Sequence, residues 1–423
     1  MEEVNELIDS AAKDQRSTPF RNFFIYFKDV PTEGLQKILD RPSTIVYGLN
    51  YHTEGATNGS VFEKREFLRQ FLGRYGQNTV HIIYVFDSEL DFDDFDEVPD
   101  ESSDVPRADF HLPVLKTFEY WERDIVSAAE SVDFLAEILS RSPQLNKIAT
   151  NTHHTNIYDG LHRHHFFENM EDLHLIDCRL RTLTTIFALP MTHLRSLALQ
   201  IWQNTSSRMT STTFIGVTRR IYNTIEQLSV SYIDFTLIGI QMIPQCPLLR
   251  DFLLHDWHGS FSLFNVDKMP NLKRIFVSDY AMDMVNHVHF LNDPHPGVTS
   301  FTCRGSGLDR IRQGEYFASL LDYIPQKFPN LNSLGVIVDS FPTKVLHAVL
   351  RNYGQIECLE IQKYSASSDA ISVESMEDFF TGYNRYTLER VVHGNQDLSR
   401  ITRGPCLLDL PREFPTVESV NNF

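Results

Sequence analysis

Residues 71–86 read FLGRYGQNTVHIIYVF, and residues 349–364 read VLRNYGQIECLEIQKY. In each, a run with helical spacing closes on Tyr-Gly-Gln, and an alternating apolar segment of strand type follows at once. Most of the chain lies between Tyr75 and Tyr353, and it keeps the same grammar. An aliphatic residue is followed by two variable positions, an apolar one, a variable one and usually a further apolar one. The frame reads LKTFEY from Leu115, LNKIAT from Leu145, LHLIDC from Leu173 and LRSLAL from Leu194. It continues as IEQLSV from Ile225, LRDFLL from Leu249, LKRIFV from Leu272 and VTSFTC from Val298, then LNSLGV from Leu331, IECLEI from Ile356 and LERVVH from Leu388. From Leu115 to Leu388 the anchors recur on average every ~27 residues, a period typical of repeat solenoids.

Most anchors are preceded by a short stretch of helical spacing, as in VDFLAEILSRSPQ (132–144), GEYFASLLDYIPQKFPN (314–330) and TKVLHAVLRNYGQ (343–355). A Pro or Gly usually closes that stretch, as expected just past a helix end. Strand, turn, short helix and turn, repeated at such a period, predict an α/β leucine-rich-repeat solenoid. No single unit can bury both its apolar strand face and its apolar helix face, so neighbours must stack into a parallel sheet over one continuous core. The expected form is a right-handed horseshoe with strands on the concave side and short helices on the convex side. The frame extends upstream through VHIIYV at Val80 and VYGLNY at Val46, and towards NFFIYF at 22–27, for about 13 repeats. An asparagine eight residues past each anchor is missing from the pattern: His153, Trp202, Trp257 and Tyr280 stand there instead. The expected layout is an N-terminal segment over 1–45, repeats over 46–400 with an acidic inserted loop at 87–110, and a C-terminal cap at 401–423.

A chain of 423 residues with 42% hydrophobic and 12% aromatic residues can bury a large core. The N-terminus MEEVNELIDSAAKD is acidic and has no apolar run of signal type, and no segment reaches 18 consecutive apolar residues, so no membrane role is expected. Cys178, Cys246, Cys303, Cys358 and Cys406 are scattered, odd in number and never in CxxC spacing. That usage fits reduced thiols in cytoplasm or nucleus. A net charge of −18 opposes nucleic-acid binding, which needs a basic footprint. Ten acidic residues and no Lys or Arg crowd the stretch 87–104, which reads as a solvated loop or as a docking segment for a basic partner.

The chain resembles, over roughly residues 60 to 395, the irregular leucine-rich-repeat region of F-box proteins, whose repeats are of similar length. Helix ends such as FLRQFLGRYGQ (67–77) followed by a strand look like the first repeats after an F-box. VPTEGLQKIL, from Val30 to Leu39, is similar to the opening LPxExLxxIL of the F-box itself. The second half of that box, a Leu-rich helix ending VCxxW, has no counterpart, because DRPSTIVYGLNYH follows. The same residues read equally as the helix of a first repeat. The resemblance implies a substrate-recognition receptor of a cullin-type ubiquitin ligase, reached through a Skp-type adaptor. The alternative is a stand-alone repeat scaffold without a ligase link. Residues 1–45 discriminate, because an adaptor-binding bundle must stand apart from the sheet.

Enzymatic chemistry finds no support: no GxSxG, P-loop, GxGxxG or kinase signature occurs, and no cofactor is expected. His153, His154, His162, His164 and His165 cluster between two strands, but no acidic third ligand is placed by spacing, so no metal is expected there. DFDDFDEVPDES (91–102) lacks the central glycine and final glutamate of a calcium loop. The candidate site is the concave face and its occupant a protein. With anchors pointing inward, positions two, four and six past each anchor point out. That row includes Glu119, Trp121, Asp177, Arg179, Gln227, Asp251, His255, Arg274, Phe276, Arg304 and Glu360. Aromatics and arginines on a rigid face are the usual anchors of protein recognition. Trp202 and Trp257 fall two residues further on and read as packing under a turn.

Overall fold

The computed structural model describes chiefly residues 45–52, 61–86, 109–122, 135–151, 168–178, 191–201, 219–231, 245–255, 269–279, 294–305, 324–338 and 356–363, with short strands at 19–20, 23–26, 209–210, 233–234, 390–393 and 396–397. The chain divides into two compact units, residues 1–238 with 242–248, and residues 239–241 with 249–423. The frame alone anticipated one undivided solenoid and gave no sign of this division.

In the first unit, eight strands follow one another in chain order: Phe23–Tyr26, Gly48–His52, His81–Phe86, Thr117–Glu122, Lys147–Thr150, Asp172–Cys178, Ser196–Ile201 and Gln227–Ser231. Each pairs with the next in parallel. The second unit repeats the scheme with Asp251–His255, Arg274–Asp279, Ser300–Gly305, Ser333–Val338, Cys358–Lys363 and Arg390–His393, again parallel. A two-residue strand, Gln396–Asp397, closes this sheet antiparallel. Parallel neighbours joined by long crossovers are what the repeat demands, and the fold is a leucine-rich-repeat solenoid in each unit.

One hydrogen-bond device sets the register. The carbonyl one residue past each core anchor accepts two N–H groups from the following repeat. Tyr47 O takes those of Val80 and His81, Val80 O those of Lys116 and Thr117, and Arg250 O those of Lys273 and Arg274. The same device recurs at Lys116, Asn146, Glu171, Arg195, Lys273, Thr299 and Asn332. It identifies the anchors as Val46, Thr79, Leu115, Leu145, Met170, Leu194, Ile225, Leu249, Leu272, Val298, Leu331 and Ile356. Ten of the twelve agree with the sequence frame.

Two differ. The frame placed Val80 inside, but the inward residue is Thr79, at 0% exposure, because its hydroxyl donates to the carbonyls of Val46 or Tyr75 and so tolerates burial. The frame also began a repeat at Leu173, whereas Leu173 pairs with Ile148 and Leu197, the third position past the anchors Leu145 and Leu194. The anchor of that repeat is Met170, fully buried. Leu173 and Leu175 follow it inward, and a bulge between Leu175 and Cys178 shifts the rest of the strand. Among the other anchors, Leu194 and Leu249 are fully buried and Leu272 nearly so, but Leu331 is only half-buried. Phe328, three residues before it, fills the interior there against Phe301 at 5.4 Å between ring centroids.

Where the inner positions are aromatic they stack. Tyr51, Tyr84 and Tyr120 occupy the fifth place past three consecutive anchors, with centroids 5.5 and 5.4 Å apart and nearly full burial. The helix Val61–Tyr75 lies against this column. Its apolar residues Phe67, Leu68, Phe71, Leu72 and Tyr75 recur at helical spacing and are buried. Position 76, just past its end, must be glycine because a Cβ there would stand 2.8 Å from Leu112 Cδ2 and 3.0 Å from the carbonyl of His111. That contact explains Tyr-Gly-Gln at 75–77; the second copy at 353–355 lies outside the described residues. On the helix side, Arg69 donates to Glu137 at 2.9 and 3.1 Å, and Arg141 lies 4.6 Å over the Phe110 ring while pairing with Asp109. Phe110 and Leu112 are core residues, so the acidic insertion ends before them and not at 110.

Candidate functional site

Strand alternation leaves positions two, four and six past each anchor on the face opposite the core. In the first unit these are mostly small or polar residues, apart from an apolar group of Ile83, Val85 and Trp121, with a line of ionisable groups across neighbouring strands. His81 Nε2 lies 3.6 Å from Glu119 Oε1, Lys147 Nζ is 3.1 Å from Asp172 Oδ2, and His174 Nε2 is 2.8 Å from Asp172 Oδ1. Burial alone would raise Asp172, but the hydrogen bond from His174, the charges of His174 and Lys147 and a hydrogen bond with Ser196 overcome it, and the carboxyl is held at about 2. Burial pushes His81 down, against Glu119, which raises it, and Lys147 adds to the lowering.

Lys147 and Asp172 form an ion pair and His174 leans on the same carboxylate, an arrangement without the geometry of a Ser-His-Asp relay. The ring nitrogen that faces Asp172, His174 Nε2, is also the one 3.5 Å from Ser196 Oγ. A base must hold its orienting acid on one nitrogen and its nucleophile on the other. Among the described residues no group of three or more His, Cys, Asp or Glu could hold a metal ion, and no helix is long and apolar enough to cross a membrane.

Glu119 and Trp121 sit on the outward face, both half-exposed, with Trp121 paired across the ladder to Val85 and Glu119 to Ile83. Gln227 is also half-exposed there. Asp177 lies in the bulged part of its strand and Arg179 outside the described residues, as do Trp202 and Trp257. Starting the repeat at Met170 adds Asp172 and His174 to the outward row, at positions two and four, and the bulge then sets Cys178 opposite Ile201, which restores beyond it the phase the frame assumed. In the second unit Arg274 Nε and Nη2 grip both oxygens of Asp251, with Nη2 at 2.7 Å from Oδ2. Asp251 is therefore buried in an ion pair and is not a free contact residue. Phe276 is half-exposed two residues past Arg274. His255, Arg304 and Glu360 occupy outward ladder positions, opposite Ser278, Ile337 and Gly335 respectively.

The frame missed His81, Lys147, Asp172 and His174. His81 was hidden by the one-residue slip at Thr79 and Asp172 with His174 by the three-residue slip at Met170; Lys147 was two past a correct anchor and readable. The histidines at 153–165 and the acidic stretch at 87–104 lie outside the described residues.

No family model matches the chain, and no curated protein matches it. Among solved structures it is similar to one from the crystal structure of the Rad7 and Elc1 complex in yeast, at 12% identity and a TM-score of 0.35. The alignment covers 59% of this chain and 63% of that one, so this chain spans under two thirds of the other's length.

Proposed function

We propose that this chain is a protein-binding repeat module that receives its partner on the outward strand face. The observation that carries the reading is Trp121 beside Glu119, half-exposed on a hydrogen-bonded sheet whose neighbouring face residues are mostly small or ion-paired. A large rigid aromatic next to an acidic group costs little ordering entropy on binding, which is why such residues dominate recognition surfaces. Phe276 beside Arg274 plays the corresponding part in the second unit. A cytoplasmic or nuclear site of action is supported by five scattered cysteines with no CxxC spacing.

The finer reading, a substrate receptor for a cullin ligase, requires an adaptor-binding bundle. Phe23–Tyr26 pairs in parallel with 49–52 and joins the main sheet, while residues 19–20 pair with 45–46 in a separate two-stranded sheet; this supports the stand-alone module, and VPTEGLQKIL at 30–39 lies almost wholly outside the described residues. Affinity capture with mass spectrometry tests both. A stable set of protein partners whose dissociation accelerates in a Trp121→Ala, Phe276→Ala variant is expected. Skp and cullin subunits in that set would restore the ligase reading. Partners released at unchanged rates by the variant would overturn the assignment of this face.

A further inference from the structure

We infer that the N-terminal end of the outward face, Phe24, Ile83 and Trp121 around Glu119 with the buried Val85 beneath them, docks a partner segment carrying a Lys or Arg beside an apolar side chain. The inference deepens the protein-binding reading and rests on it. These residues share one face by register: Phe24 pairs with Asn50, Asn50 with Ile83, Ile83 with Glu119, and Val85 with Trp121. Phe24 is 55% exposed, the most exposed large apolar side chain among the described residues. From Phe24 to Glu119 the patch crosses three strand spacings, about 14 Å, the reach of four or five residues of extended chain.

Charge selects the occupant. The Glu119 carboxylate is 23% exposed, and the group facing it is the His81 imidazole at 3.6 Å. Lys147, on the next strand but one row away, is engaged with Asp172 at 3.1 Å. His52 completes the titratable groups on this part of the face. Burial pushes the His81 imidazole down while Glu119 raises it, and at 3.6 Å that ring stands beyond hydrogen-bond distance of the Glu119 carboxyl, which sits in a rim formed by Ile83 and Trp121. A guanidinium or ammonium placed there gains the carboxylate, and its stem and neighbour gain Trp121 and Phe24 by apolar and cation–π contact. A chain of net charge −18 adds long-range attraction of the same sign.

A phage-displayed library of random dodecapeptides, panned on the immobilised full chain, tests this. Selected peptides should be rich in Lys or Arg within two positions of an aromatic or aliphatic residue. Resynthesised, the best peptide should lose about tenfold in affinity, or ~1.4 kcal/mol, with Glu119→Gln, and at least as much with Trp121→Ala. Panning on Glu119→Lys should select Asp or Glu in place of the basic residue, a gain that misfolding cannot produce. Peptides without basic enrichment, affinities indifferent to Glu119→Gln and Trp121→Ala, or no selection at all would overturn the assignment. If the site fails in this way while Phe276→Ala still releases captured partners, the binding module stands and only this site falls. If no variant of either face changes capture, the module reading falls too.

Discussion

Asp172→Asn should cost about 2 kcal/mol at neutral pH, and the loss should vanish in acid. The folded carboxyl is held at about 2 against 3.8 for the free group, and each pH unit is worth 1.36 kcal/mol, giving about 2 kcal/mol. The side chain is 21% exposed, so solvent screening removes little of it. The sign follows from linkage: a carboxyl depressed in the folded state contributes stability above its unfolded value, and loses it as pH falls through the folded one. The gap between wild type and Asp172→Asn should therefore be full at pH 5 and above. It should shrink from about pH 4 and close near pH 2. Urea melts followed by far-UV circular dichroism at a series of pH values read this directly. A gap below about 0.5 kcal/mol at pH 7, or one that stays constant down to pH 2, would refute the account of Lys147, His174 and Ser196 converging on this carboxylate.

Gly335→Ala should destabilise by about 1–3 kcal/mol, since its Cβ would meet Thr302 Oγ1 at 2.6 Å and Cγ2 at 2.7 Å, and Thr302→Ala in the same chain should recover most of the loss in a thermal melt. Thr79→Val keeps the shape but strips two buried carbonyls, those of Val46 and Tyr75, of their hydroxyl donor; a cost of about 1–2 kcal/mol in urea midpoint is expected. Arg274→Met leaves the Asp251 carboxylate, 6% exposed, without its cation and should cost about 3–5 kcal/mol, whereas the Asp251→Leu, Arg274→Met pair should cost much less in the same assay. Leu249→Ala should lose about 2–5 kcal/mol, because the side chain is fully buried; a melt within about 0.5 kcal/mol of wild type would contradict the register.

The repeat was legible because most anchors are aliphatic and strictly phased, from Leu115 through Ile356. It failed where a different physics satisfied the interior. Thr79 enters the core by hydrogen bonding, so an apolarity rule passes over it and takes Val80. MEDLHLIDC (170–178) is apolar at Met170, Leu173, Leu175 and Ile176, so two phases fit, and only inter-strand hydrogen bonding chooses. Because side chains alternate with period two, an odd slip turns the predicted outward face inward. This is why Asp172 and His174 were passed over, while the bulge before Cys178 restores the assumed phase beyond it. Glu119, Trp121, Arg274 and Phe276 followed anchors that were right and came out where expected. That Asp251 is locked to Arg274 was not readable, because the two residues stand in different repeats and meet only through the ladder.

The tyrosine column of Tyr51, Tyr84 and Tyr120 lets neighbouring repeats differ in the length of chain between them. The step from Thr79 to Leu115 is longer than the step from Val46 to Thr79, yet the rings keep nearly the same spacing, 5.5 and 5.4 Å. Alignment between neighbours is settled inside the stack, so an added or deleted residue in a crossover is absorbed at the surface at only logarithmic entropic cost. Lineages can lengthen, shorten or exchange these crossovers without re-evolving the scaffold. An engineer could likewise graft an epitope or a tether between residues 87 and 108 and leave the strand ladder as it is.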